Sequence, residues 1–259
     1  MKIIKKDFRS HLNSVLNRKH LINDCLEFDE AFTALFKNTI EKLIEMEFDH
    51  FMEFERSDIG VKNSNFKNGH STKIIKTKYG SFPINIRRDR KNEFETKLFD
   101  KNSHDFNYKE DLIIALNASN NDYTSIEQSV AEMFDNEIPE ELLKNIAKSF
   151  YENQKFNLSH KFSFRMISVK EIKIEKHNEA YWIVFGRTRD ENVILTILKA
   201  NLENNEKNME LLFENLNENK IKKITYFAVE EEQCCRKLIE EKSKEYNFKI
   251  IEITNSHEE

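Results

Sequence analysis

The sequence predicts a mixed α+β / α/β protein, in which an N-terminal helical region, a basic β-hairpin and three further helices precede a domain of order βββαβαβ. Three observations predict this class. Between residues 28 and 153 most apolar residues recur at three- and four-residue steps, which is helical periodicity. One stretch inside that range, 71–88, is rich in Thr, Ile and Phe instead. After Asn157 the apolar period changes to two. We therefore expect an N-terminal helical region at 1–60, a second region at 61–157 and a third at 158–259.

The composition is typical of a globular protein. A chain of 259 residues with 39% hydrophobic residues is long enough for one large domain or two small ones. No run approaches the roughly 18 consecutive apolar residues that a membrane span needs, and residues 1–6 are too basic and too few for a signal peptide. We therefore expect a cytoplasmic protein without a membrane partner. The three cysteines, Cys25, Cys234 and Cys235, fit neither a disulfide framework nor a zinc spacing, and we expect reduced thiols.

The net charge of -5 hides a strong internal asymmetry. Residues 66–91 contain one acid, Asp89, against eight basic residues: Lys67, Lys73, Lys76, Lys78, Arg87, Arg88, Arg90 and Lys91. Residues 200–259 contain fourteen acids against nine bases. A basic arm on an acidic body is typical of a chain in which only one region touches phosphate.

The first half of the chain shows one long helix and one hairpin. Residues 28–55 have a helical apolar face and a solvated acidic face. Glu47 and His50 stand three apart on that helix, as metal ligands do, but a second such pair is missing, so no metal site is predicted. Residues 71–78 and 82–88 flank Tyr79, Gly80 and Ser81, and this pattern predicts a basic β-hairpin.

Three helices are predicted next, at 109–116, 123–134 and 140–153. Asp122 stands at the N-cap of the second, and Pro139 precedes the third at a position that tolerates a missing N–H. The third helix places Lys144, Asn145 and Lys148 on its polar side. Three helices joined by short polar turns make either a helix-turn-helix, whose last helix enters the major groove, or a plain helical bundle.

The last hundred residues alternate between strands and helices. Strands are predicted at 162–175, 180–187, 193–198, 222–229 and 248–254, and helices at 205–218 and 230–246. The order βββαβαβ is that of the ribonuclease H-like fold. Its fourth and fifth strands follow helical crossovers, as parallel pairing requires.

Two ordered motifs carry a family resemblance. Residues 65–73 read NFKNGHSTK, and after Lys76, Thr77 and Gly80 the segment 87–95 reads RRDRKNEFE. This order resembles bacterial Mutator-family transposases, in which an R-N-G-Y-like turn leads into a strand and a P-R-D-R-x-G-x-F segment follows. The resemblance runs from about residue 40 to the C-terminus, and it places the three helices where that family has a helix-turn-helix-like segment.

The resemblance also implies an Asp-Asp-Glu triad, because two divalent cations must be held by carboxylates during strand cleavage. Ser168 stands where the first Asp is expected, and Glu171 stands where the family has a His. Glu230 keeps a carboxylate at the second position, and the acids at 230–232 also suit the first turn of the helix that follows. The third acid lies on a later helix in the family, whereas this sequence stops at Glu259. The resemblance therefore implies a truncated ribonuclease H-like domain that lacks its last helix and has an incomplete triad.

The leading hypothesis is a DNA-binding protein derived from a transposase, which recognises element ends or a regulatory site in duplex DNA without strand cleavage. The eight cations of residues 66–91 would contact phosphates, and Lys144, Asn145 and Lys148 would read base edges. A homodimer would suit an inverted repeat. Two alternatives remain open: a nuclease or transposase that binds magnesium through Glu171, Glu230 and Glu232, and a protein-interaction scaffold. The leading hypothesis predicts neither a cofactor nor a metal.

Overall fold

The computed structural model describes residues 29–57, 65–100, 104, 106, 109–118, 122–152, 163–174, 178–188, 192–221, 223–230 and 235–253. The first half contains four helices and a two-stranded sheet: α1 (Asp29–Ser57), β1 (Lys67–Thr77), β2 (Gly80–Asp89), α2 (Glu110–Leu116), α3 (Tyr123–Met133) and α4 (Glu140–Glu152). Each of these elements was predicted from the sequence, with ends that differ by a few residues. Cys25, Cys234 and the residues before 29 lie outside the described part of the chain.

The β1–β2 hairpin is anchored at its tip and along its edges. Gly80, at φ 131°, follows the turn at 78–79 with a backbone conformation that glycine adopts readily. The ring of Tyr79 stacks on that of Phe32 in α1, with centroids 4.3 Å apart. Along the outer edge of β1, the backbone N–H of Lys76 donates to the carbonyl of His104 at 2.7 Å. The hairpin is therefore held against α1 and the segment that contains His104.

The three short helices pack against one another in chain order, α2 on α3 and α3 on α4. Asp122 caps α3 as predicted, because its Oδ1 accepts a hydrogen bond from the backbone N–H of Ser125 at 2.7 Å. After α3 the chain turns through Asp135 and Asn136, which both have positive φ values, and Asn and Asp tolerate that conformation better than most residues do. Both α2 and α4 also contact α1.

The second half forms a five-stranded mixed sheet with two helices. Its elements are β3 (Ser163–Ile174), β4 (Glu179–Arg187), β5 (Asn192–Ala200), α5 (Asn205–Glu218), β6 (Lys223–Glu230), α6 (Arg236–Tyr246) and β7 (Lys249–Ile253). The strand order is β5-β4-β3-β6-β7. The strands β3, β4 and β5 form an antiparallel meander, whereas β6 runs parallel to β3 and β7 runs parallel to β6. The element order is the one that the sequence predicted.

Two hydrophobic clusters cover the two faces of this sheet. The first contains Tyr181, Ile183 and Phe185 of β4 together with residues of α1, the hairpin and α2–α4. The second contains Trp182 and Val184 of β4 together with residues of α5 and α6. The alternation along β4 follows from the two-residue period of a strand. The helices and hairpin of the first half therefore pack on the sheet face opposite α5 and α6.

One predicted boundary is wrong. The acidic run at 230–232 was expected to open the last helix, but Glu230 is the final residue of β6, in register with Ile253 of β7. The helix α6 begins at Arg236 with Cys235 at its N-cap, and its first turn contains no acid. Glu231 and Glu232 lie outside the described residues. The interpretation of Glu230 as part of an acidic first turn is thus corrected.

No helix within the described ranges is both long enough and apolar enough to span a bilayer.

Candidate nucleic-acid interface

Three acids on α1 hold the edge of the hairpin, and they stand four residues apart, so they share one face of the helix. They are Glu41, Glu45 and Asp49, which we call the acidic row. Glu41 Oε1 accepts hydrogen bonds from the backbone N–H of Asn85 at 2.8 Å and from its side-chain amide at 3.0 Å. Glu45 pairs with Arg87 at 2.5 Å, and Asp49 pairs with Lys67 at 2.6 Å. Two of the predicted DNA-binding cations are therefore already paired with carboxylates.

Two further hairpin lysines are joined to the body of the protein. Lys78 forms ion pairs with Glu110 at 3.4 Å and Asp111 at 3.3 Å, at the start of α2. Burial lowers the pKa of Lys78, but the charges around it outweigh burial and the pKa is raised. Lys73 donates to the carbonyl of Asp100 at 3.1 Å, and partial burial lowers its pKa. These contacts fix the hairpin to α2 and the segment before it.

The remaining cations of the hairpin region are open to solvent. Lys76, Arg88 and Arg90 are exposed, and no carboxylate of the described residues pairs with them. The guanidinium of Arg90 lies 5.1 Å from the ring centroid of Phe66, which is itself 51% exposed. Lys91 is exposed, and its Nζ lies 3.8 Å from a carboxylate oxygen of Glu93. We call Lys76, Arg88 and Arg90, which are exposed and have no carboxylate partner among the described residues, the exposed group; the other five predicted cations contact groups of the fold, although most of them are also open to solvent.

Asp89 organises the segment that carries Arg88 and Arg90. Its side chain is 1% exposed and accepts hydrogen bonds from the backbone N–H groups of Lys91, Glu93 and Phe94 at 3.0 to 3.2 Å. Burial raises the pKa of Asp89, but the backbone hydrogen bonds outweigh it and the pKa is lowered. In the sequence Asp89 stands out as the one acid among bases and as part of the RRDR motif, but neither observation predicts its burial. Three residues later the backbone N–H of Asn92, which has φ 59°, donates to the carbonyl of Asp89 at 3.3 Å, so the buried carboxylate stabilises a turn.

The third predicted helix presents its polar residues as expected. Lys144, Asn145 and Lys148 are exposed on α4. Lys144 pairs with Glu140 at 2.5 Å, and Lys148 lies 3.9 Å from Glu152. Exposed pairs of this kind contribute at most about 1 kcal/mol, so a phosphate can replace the carboxylate at small cost.

The positions of the implied triad lie on or near β3. Ser168 is 3% exposed and stands in register between Phe185 of β4 and Ala228 of β6. Glu171 points to the opposite face, as the strand period predicted, and its Oε2 accepts a hydrogen bond from Trp182 Nε1 at 3.0 Å. Glu230 ends β6. Across the parts of the chain that the structure describes, no three His, Cys, Asp or Glu side chains stand together as a metal site.

The side chain of Glu47, which stands three residues before His50 on α1, accepts hydrogen bonds from the segment after β2. It accepts hydrogen bonds from the Thr96 hydroxyl and from the backbone N–H of Lys97, the latter at 2.7 Å. Burial raises the pKa of Glu47 and these hydrogen bonds oppose the shift in part. Glu47 therefore attaches the segment after β2 to α1.

Comparison with known proteins now gives the family. The sequence profile of the family described as "Transposase, Mutator family" matches residues 8–244. This chain belongs to the Mutator family of transposases. One relative is the transposase for insertion sequence element IS905 of Lactococcus lactis subsp. lactis (strain IL1403), which is 25% identical over 128 residues. That match covers 49% of this chain and 33% of the relative, so this Mutator-family chain aligns with about a third of the length of that transposase.

Proposed function

We propose that this Mutator-family chain binds a specific sequence in duplex DNA through its hairpin region and does not cut the strands. The observation that carries the proposal is the exposed group formed by Lys76, Arg88 and Arg90. The other five cations contact carboxylates or a carbonyl of the fold, whereas these three exposed residues have no carboxylate partner among the described residues. Phosphate contacts of this kind supply most of the affinity of a protein for DNA.

The helix α4 supports a second contact with the same DNA. Helices α2, α3 and α4 follow one another with short connections, which is the order of a helix-turn-helix, and α4 would then be the helix in the major groove. Asn145 is exposed in the middle of α4, and an asparagine amide pairs with the N6 and N7 atoms of adenine. On DNA binding, Lys144 and Lys148 would leave their partners on the same helix, Glu140 and Glu152, and pair with phosphates.

The lack of cleavage follows from the residue at the first triad position. The strand order with β3 in the centre, flanked by β4 and by parallel β6, supports a ribonuclease H-like arrangement of this sheet. In that arrangement the central strand carries the first metal-binding carboxylate, and here the position is Ser168. A buried neutral hydroxyl cannot bridge two divalent cations as a carboxylate does. Glu171 does not replace it, because its side chain lies on the other face of the sheet.

A protein with these properties would occupy element ends or a regulatory site. Two copies related by a two-fold axis would match the two halves of an inverted repeat, so we propose that it binds as a homodimer. It would act as a transcription regulator or as an inhibitor that excludes an active transposase.

The test is a selection from a randomised duplex library at about 150 mM salt, where specific contacts outlast nonspecific ones. We expect enrichment of one motif and no magnesium-dependent nicking of the enriched pool. The variant K76Q/R88Q/R90Q should lose the enrichment. A matched control, K207Q/K223Q/K237Q, removes the same charge from exposed lysines of α5, β6 and α6 and should keep it. No enrichment by the wild type would overturn DNA recognition, and nicking would favour an active carboxylate site that includes Glu171 or Glu230.

A further inference from the structure

The hairpin has one buried face and one outward face. Ile75, Phe82 and Ile84 point into the first hydrophobic cluster. The outward face consists of the register pairs that alternate with them: His70 with Arg87, Thr72 with Asn85, Ile74 with Pro83, and Lys76 with Ser81. All eight of these residues are exposed.

An apolar pair stands at the centre of this polar and basic surface. Ile74 is 55% exposed, and Pro83 beside it is also exposed. A single exposed isoleucine is common on protein surfaces and carries no conclusion by itself. Its setting is what distinguishes it, because Ile74 lies between Thr72 and Lys76 on a ribbon whose sole acid, Asp89, is buried.

The edges of the hairpin are occupied, so another strand cannot easily add to them. On β1 the carbonyl of Ile74 accepts a hydrogen bond at 2.8 Å from the ring nitrogen Nδ1 of His104, and Lys76 pairs through its backbone with His104 and Phe106. On β2 the N–H of Asn85 donates to Glu41 of the acidic row. The surface that remains open to a partner is the outward face. Its cations are Lys76, which no carboxylate of the described residues pairs with, and Arg87, whose salt bridge to Glu45 is exposed and therefore weak. Together they favour a partner with negative charge.

We propose that the outward face enters the major groove of duplex DNA and reads base edges, with Ile74 in contact with a thymine methyl group. This inference rests on the proposed function and assigns base recognition to the hairpin in addition to phosphate contacts. Lys76 lies on this face and Arg90 follows the end of β2, and both hold phosphates that border the groove. Thr72 reaches the base edges next to Ile74 through its hydroxyl and methyl groups.

The dimensions of the hairpin suit that groove. Two paired strands lie about 4.8 Å apart, and the B-DNA major groove is about 12 Å wide and admits a two-stranded ribbon. Residues 70 to 76 of β1 rise about 3.3 Å each, so the outward face is roughly 20 Å long. At about 3.4 Å per base pair this length corresponds to about six base pairs.

The test replaces single thymines by deoxyuracil in the duplex that the wild type selects, which removes only the methyl group. We expect at least one replacement to weaken wild-type binding about fivefold, the scale of one lost base contact. The variant I74A should bind the thymine and deoxyuracil duplexes equally, with an unchanged salt dependence. A control, L202A, removes another leucine-sized exposed side chain, 50% exposed after β5, and should behave as the wild type does.

The outcomes separate the two proposals. If the wild type selects a motif but I74A keeps the thymine preference, or if every deoxyuracil replacement is neutral, the hairpin does not read bases and the proposed function stands. If the wild type binds no duplex, both proposals fail. A change from dimer to monomer in I74A alone would identify the outward face as a contact between two copies and overturn base reading. Should I74A unfold, I74T serves in its place, with the fluorescence of Trp182 as the check of folding.

Discussion

Replacement of Asp89 by alanine tests the role of the buried carboxylate most sharply. The change removes the carboxylate acceptor of three backbone N–H groups, those of Lys91, Glu93 and Phe94, and among the described residues only Lys91 keeps another, the side-chain oxygen of Asn65 at 3.4 Å. A hydrogen bond to a charged group contributes about 1.5–3 kcal/mol when it is buried. Lys91 and Glu93 are exposed, so water replaces part of the loss, whereas Phe94 is half-buried. We therefore expect the free energy of unfolding to fall by about 2–4 kcal/mol.

The assay is urea unfolding at pH 7, followed by the fluorescence of Trp182, the single tryptophan, which is 0% exposed in the folded protein. The exposed acid Glu203, replaced by glutamine, is the control and should change the free energy of unfolding by less than about 0.5 kcal/mol. A loss below about 0.5 kcal/mol in the Asp89 variant would show that the turn does not depend on this carboxylate.

The same carboxylate gives a pH signature. Because the pKa of Asp89 is lowered by folding, its contribution to stability is present above the ordinary value of 3.8 and is lost as the pH falls through the lower, folded pKa. The difference in unfolding free energy between the wild type and D89N should be constant from about pH 7 to about pH 5 and shrink below about pH 4. A difference in unfolding free energy that stays constant below pH 4 would contradict a lowered pKa of Asp89 in the folded protein.

Three other substitutions test the packing and the buried charges. Lys109→Met removes the donor to two buried carbonyls and one carboxylate, so the free energy of unfolding in urea should fall by about 2–4 kcal/mol. An unchanged midpoint of urea unfolding would refute this. Burial raises the pKa of Glu110, and its hydrogen bonds to Lys78 oppose the shift only in part. The free energy of unfolding of the wild type, relative to that of E110Q, should therefore fall as the pH rises from 4.5 through the folded pKa. A pH-independent difference in thermal unfolding would contradict that. In Gly186→Ala the new Cβ would lie 2.7 Å from side-chain atoms of Leu195 and Phe164. We therefore expect the free energy of unfolding to fall by about 1–3 kcal/mol. A melting temperature equal to that of the wild type would exclude the clash.

The helices and strands could be predicted because their signals are local. The helix α5 has the predicted bounds, 205–218, since apolar spacing and the polar residues around it act over a few residues. The start of α6 could not be predicted in this way. The acids at 230–232 favour a helix N-terminus locally, but pairing of Glu230 with Ile253 extends β6 instead. Contact between distant strands overrides the local preference.

The candidate site, like the fold, has features that are visible in the local sequence and features that depend on distant contacts. The sequence located the basic hairpin and its cations, because their charge and their spacing are visible in the chain. It could not show which cations are free, since the partners of Lys67, Lys78 and Arg87 lie 18, 33 and 42 residues away. Nor could it show that Asp89 is buried, because burial of a carboxylate depends on how the following turn folds around it.

DNA binding by the hairpin region is tested most directly by the slope of log Kd against log salt concentration for the selected duplex. If Lys76, Arg88 and Arg90 each neutralise one phosphate, the slope for K76Q/R88Q/R90Q should be less steep than that of the wild type by about 2.7, which is three contacts at about 0.9 each. The control K207Q/K223Q/K237Q should keep the wild-type slope. Equal slopes for the wild type and both variants would contradict the claim that the hairpin of this Mutator-family protein holds DNA.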